Sequence, residues 1–138
     1  MEVDTLNTLV TDAIWRAEEL ESCGRSSAAV AWAEVSTIEE DLARAHSVSE
    51  VQGRIARRGA VTAALKAGDY TRAYALVDGY LAEENAPESL KTELREILEE
   101  NAQAMADRFQ YASRHHSLRE AQGLALRFRG TGAFSLAA

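Results

Sequence analysis

A single cysteine, Cys23, stands among 138 residues. That scarcity excludes an internal disulfide and any cysteine-rich zinc site. Proline occurs once and glycine eight times, so long helices can run with few breaks. No stretch approaches the roughly 18 apolar residues that a bilayer-spanning helix needs, so no membrane span is expected. Glu2 and Asp4 stand where a secretory leader would be basic, and a cytoplasmic location is the expectation. Positive charge is in deficit: 15 Lys and Arg against 22 Asp and Glu leave a net charge of −7. An acidic chain of this kind is a poor nucleic-acid partner, because phosphates recruit cations.

What remains is ordinary globular chemistry. The chain is 46% hydrophobic and 27% charged, a balance that permits a buried core rather than disorder. Its length suits one domain. Charge is unevenly spread. Residues 78–107 hold nine acids against Lys91 and Arg95, whereas residues 108–129 hold five arginines against Glu120 alone. Two readings fit this switch: balance of helix dipoles and neighbouring faces, or a polarised interaction surface.

Apolar periodicity predicts an all-α fold, an antiparallel bundle of four to five helices. In the first helix Val3, Leu6, Val10, Ala13, Ile14, Ala17 and Leu20 fall on one stripe, and Cys23-Gly24 ends it. Ser26 or Ser27 caps a second helix with a seam-like stripe of Ala28, Ala31, Val35, Ile38, Leu42 and Ala45. Ser47 and Glu50 have capping-box spacing for a third, which carries Val51, Ile55, Ala63, Ala64 and Leu65 and stops at Gly68. Gly59 weakens its centre by about 1 kcal/mol relative to alanine. Asp69 caps a fourth helix, with Tyr70, Ala73, Val77 and Leu81 inward. Pro87 opens a fifth, with Leu90, Leu94, Ile97, Leu98, Met105, Phe109 and Ala112 on one face and a bend or end near His115-His116. A faint echo at 44 residues aligns Gly24 with Gly68 and Ala29 with Ala73, each at a helix–turn–helix junction.

Within residues 64–87, Gly68, Asp69, Tyr70 and Ala73 place a small residue, an aromatic and an alanine around a tight turn, and Pro87 closes the stretch. This segment resembles one hairpin of a tetratricopeptide-type repeat. The resemblance implies a helical-hairpin module that binds proteins rather than transforming molecules. The preceding helix departs from the pattern, with Arg57, Ala60, Val61 and Ala64 at its signature positions.

Catalytic signals are few. His116, Ser117, Leu118, Arg119 and Ala121 are similar to the phosphoacceptor box of histidine phosphotransfer domains, which implies His116 as a phosphoacceptor with Arg119 beside it. Glu120 departs from that pattern, and only 22 residues follow His116 where two helices are usual. No spacing sets two metal ligands on one helix face, so neither metal nor cofactor is expected. Acidic pairs such as Glu39-Glu40 and Glu83-Glu84 read as solvated faces. Cys23, at a helix C-terminus, lacks the electropositive setting of a nucleophile. Trp32 lies beside the second helix's stripe and reads as a core or edge anchor. Trp15 follows Ile14 and turns about 100° from it, as packing against another helix or an exposed binding anchor.

Residues 124–138, LALRFRGTGAFSLAA, break the pattern. They read as a short non-helical tail after a helical domain of residues 1–123. A β-hairpin pairing 124–129 with 133–136 fits the alternation, and so does an extended strand lent to a partner. Gly130 and Gly132 lack both the strand–helix context and the lysine of a phosphate loop. Leu126, Arg127, Phe128, Arg129, Phe134 and Leu136 join Trp15 as candidate partner-binding residues. The closing Leu-Ala-Ala is similar to the bacterial tag that marks incomplete polypeptides for the ClpX-type unfoldase. The function expected is a non-enzymatic adaptor or assembly module binding another protein or itself. Phosphotransfer through His116 and a small acidic inhibitor or immunity-type protein are the alternatives.

Overall fold

Three of the four helix junctions in this chain hold a glycine or its one proline: Gly24, Gly68 and Pro87. A computed structural model describes residues 2–130 and, with gaps after Ala104, side chains as far as Arg114. Five helices appear among them: α1 (Val3–Ser22), α2 (Ser27–Ala45), α3 (Val51–Lys66), α4 (Tyr70–Leu81) and α5 (Glu88–Gly130). The fold is all-α, as the periodicity predicts. None of the described helices is long and apolar enough to cross a membrane.

Two of the turns share one device. Gly24 and Gly68 take φ of +66° and +76°, the left-handed region where a Cβ is penalised. After α1, Gly24 N–H bonds Glu21 O and Arg25 N–H bonds Leu20 O; after α3, Gly68 bonds Leu65 and Asp69 bonds Ala64 in the same pattern. These are paired Schellman closures, so the 44-residue echo is real in turn chemistry. It stops there, since Ala73 is fully buried and Ala29 is exposed. Asp69 caps α4 as expected, its Oδ1 accepting from Arg72 N–H at 3.1 Å. Ser26, by contrast, makes no side-chain cap for α2. Half of the expected capping box forms before α3: Glu50 Oε1 accepts from the Ser47 amide at 3.3 Å, and the helix begins at Val51.

The chain divides into two compact units, Met1–Glu99 and Glu100–Ala138. In the first, each helix packs on the next: α1 on α2, α2 on α3, α3 on α4. Ser36 meets Ala60, and Glu39 meets Gly59, so α2 and α3 run antiparallel. Leu6, Val10, Ala13 and Ala17 of α1 join Ala31, Trp32, Val35 and Leu42 of α2 in one core, which Leu90 and Leu94 of α5 complete. The expected face of α3 needs correction. Ala63, Ala64 and Leu65 are buried as expected, but Val51 and Ile55 are more than half exposed, and Gly53, Ala56, Arg57, Ala60 and Val61 are buried in their place. α3 packs against both α2 and α4, and the glycine and alanines of its buried face let the helices approach closely.

The second unit contains the remainder of α5. Gln103 Nε2 donates to Asp107 Oδ1 at 3.0 Å along the helix, and Tyr111 is exposed. α5 shows helical backbone through His115-His116 and to Gly130, so residues 124–130 are helical where the alternation suggested a strand. Leu124 and Phe128 also stand one helical turn apart, so the pattern satisfies either period. Residues 131–138, which include Phe134 and Leu136, lie outside the described residues.

Candidate functional site

The first unit carries two polar features, both along α3. On one side, Arg57 is buried at 5% exposure yet every nitrogen of its guanidinium is engaged. Nε donates to Glu83 Oε2 at 2.8 Å and Nη2 to Glu83 Oε1 at 3.3 Å, a two-pronged pair. Nη1 donates to Gly53 O at 2.8 Å, and both terminal nitrogens reach His46 O. Gly53 is required for this turn: a Cβ there would stand 1.9 Å from Ser47 O. The arginine thus ties the α2–α3 connection to the end of α4.

Beside it, Ser36 Oγ donates to Ala60 O at 2.8 Å and accepts from Arg72 Nε at 3.0 Å. Arg72 also pairs with Glu40, whose other oxygen accepts from Arg44 at 2.6 Å. A cleft of about 300 Å³ opens here, lined by Glu40, Arg44, Arg57, Leu76, Tyr80 and Glu83 among others. Tyr80 lies under Arg57, with the guanidinium carbon 5.5 Å from the ring centre. Its hydroxyl is buried without a hydrogen-bond partner. Burial first, then the charge of Glu40, pushes the phenol up to about 12, so it stays protonated at neutral pH. Opposite charges are matched throughout this cleft, and its chemistry is that of a clamp across α2, α3 and α4.

The other feature has no such balance. Glu39, next to Glu40 on α2, is buried at 8% exposure. Burial pushes its carboxyl up to about 7, with no neighbouring charge or hydrogen bond to offset the effect. Its carboxyl lies on the backbone of Gly59, where an added Cβ would stand 2.7 Å from Oε1. Gly59 is therefore a notch for a side chain, which explains a residue that weakens α3 locally. Glu39 lines a pocket of about 140 Å³ with Asn7 and Val10 of α1, Leu42, His46 at the end of α2, and Gln52, Ile55 and Ala56 of α3. His46 Nδ1 lies 3.2 Å from Glu50 Oε2. That contact, followed by the Ser47 amide, holds the Glu50 carboxyl below its ordinary value.

Reading Glu39-Glu40 as a solvated pair therefore needs correction: Glu39 is buried and Glu40 sits between two arginines. Part of the acidic run is also structural, since Glu83 and Glu93 pair with Arg57 and Arg58 of α3. Of the core and edge readings of Trp32, burial decides for the core, with its Nε1 donating to Glu21 Oε2 at 2.8 Å and Lys66 lying over its ring. Trp15 is 68% exposed on α1. The backbone of His116, Leu126, Arg127, Phe128 and Arg129 belongs to α5, but their side chains lie outside the described residues. Sequence reasoning missed Ser36, Glu39, Arg57 and Tyr80. The available signal was a pair of glycines, Gly53 and Gly59, inside one helix.

No protein-family model, curated protein or solved structure matches the chain.

Proposed function

We propose that this chain is a non-enzymatic protein-interaction module, an adaptor or assembly protein of the cytoplasm, that docks another protein or a second copy on its helix faces. The observation that carries the reading is Trp15, a tryptophan 68% exposed on a well-formed helix. An indole left in water forgoes the favourable burial of a large apolar surface, and tryptophans in that position are enriched among binding anchors. Val30 of α2, 74% exposed, adds to the apolar surface of the same helical hairpin. The polar clamp around Arg57 supports the reading in another way, because its charges are spent on one another and hold the scaffold rigid.

Site-specific photo-crosslinking in living cells tests it. A photoreactive phenylalanine derivative in place of Trp15 should give one discrete adduct, at twice the chain's mass or at that of a larger partner. The same group in place of Thr71, exposed on α4, supplies the background. If position 15 yields no adduct above that background, the reading is wrong.

A further inference from the structure

The pocket at Glu39 holds an acid without a partner, and an acid so placed selects its ligand by charge. Asn7 and Val10 face it from α1, Gln52, Ile55 and Ala56 from α3, and Leu42 and His46 from α2. None of these is a lysine or arginine, and the imidazole of His46 is turned to Glu50 at 3.2 Å. Glu39 is thus the single acidic residue lining the pocket, with four apolar side chains beside it. We propose that this pocket binds a small organic ammonium ion, its charged head on the Glu39 carboxylate and its carbon body against Val10, Leu42, Ile55 and Ala56.

Size, solvation and donor chemistry each support that class of ligand. The volume of about 140 Å³ is close to the roughly 150 Å³ of an engineered cavity that admits benzene, so a ligand of benzene's size fits. Buried carboxylates are costly to ionise unless paired, and an entering ammonium supplies the missing charge and hydrogen-bond donors. The exposed amide side chains of Asn7 and Gln52 offer acceptors for its remaining protons. A hydrated divalent metal is a poorer match, because it seeks about six or more oxygen ligands and the pocket wall is largely hydrocarbon. The notch at Gly59 keeps the carboxyl at the α2–α3 interface, since an alanine there would collide with it.

Calorimetric titration of the full chain with benzylammonium and with benzyl alcohol, its neutral counterpart of equal size, tests the proposal. At pH 8, where the carboxyl is ionised, the ammonium should bind at least about tenfold more tightly than the alcohol. Glu39→Gln should abolish that preference while leaving alcohol binding in place. Because a substitution at a buried site can disturb folding, the wild-type chain provides an independent reading. Carbon-detected NMR of the glutamate carboxyls should show benzylammonium moving the Glu39 midpoint down by about one pH unit. Equal affinity for the two compounds, binding of neither, or an unmoved midpoint overturns the proposal.

Discussion

A carboxyl without a partner makes stability depend on pH. Glu39 titrates near 4.5 in the unfolded chain and at about 7 in the folded one. Between those values the native state keeps a proton that the unfolded state has released. Stability therefore falls as pH rises through that window, is free of this penalty below it, and carries the whole penalty above it. Allowing for solvent that reaches the pocket, the difference is on the order of 1–3 kcal/mol. Urea unfolding of wild type and Glu39→Gln at pH 5 and pH 8 reads this directly. The variant should be the more stable of the two at pH 8, and its advantage should shrink or reverse at pH 5; parallel curves would show that Glu39 titrates normally. None of this was legible locally, because Glu39 differs from exposed Glu34 only by what α3 places opposite it.

At the scale of the element, α3 is the helix whose character the sequence hides. Its first two branched residues, Val51 and Ile55, attract the eye and face outward, while glycine, alanine and an arginine join Val61 and Leu65 on its buried face. Hydrophobic periodicity reads α1 and α2 well because there large apolar residues and burial coincide. It fails on the first half of α3, where close approach to neighbours demands small side chains. The two interior glycines of α3 should accordingly respond differently to alanine. Gly53→Ala drives a methyl into the backbone of the preceding turn, and nothing there can swing aside; we expect a loss of about 2–3 kcal/mol. Gly59→Ala meets only the end of the flexible Glu39 side chain, and the helical preference for alanine, about 1 kcal/mol, offsets much of the strain. Denaturant midpoints at matched m values measure both. Equal effects would show that the turn before α3 yields as easily as a side chain does.

For the whole molecule, burial is unequally divided. Every buried hydrophobic among the described residues lies between Leu6 and Leu94, inside the unit that ends at Glu99. That unit has five helical segments, a continuous core and its own network of ion pairs. A fragment of residues 1–99 should therefore unfold cooperatively, with a midpoint within about 5 °C of the full chain by circular dichroism. A fragment without a thermal transition would mean that residues beyond 99 complete the core. The sequence marks this division only faintly. The apolar stripe of α5 is interrupted after Leu98 by glutamates at 99 and 100, yet it resumes at Met105 and helical propensity continues unbroken.

The two tryptophans occupy opposite solvents. Trp32 sits in the core with its indole N–H tied to Glu21 and a lysine ammonium 4.3 Å above its ring. Trp15 stands in water on the neighbouring helix. Their emission is consequently split between a blue component that reports the integrity of the bundle and a red one that reports what touches its surface. Unfolding shifts the first to longer wavelength, and docking shifts the second to shorter, so the protein carries separate optical gauges of folding and of contact without any added label.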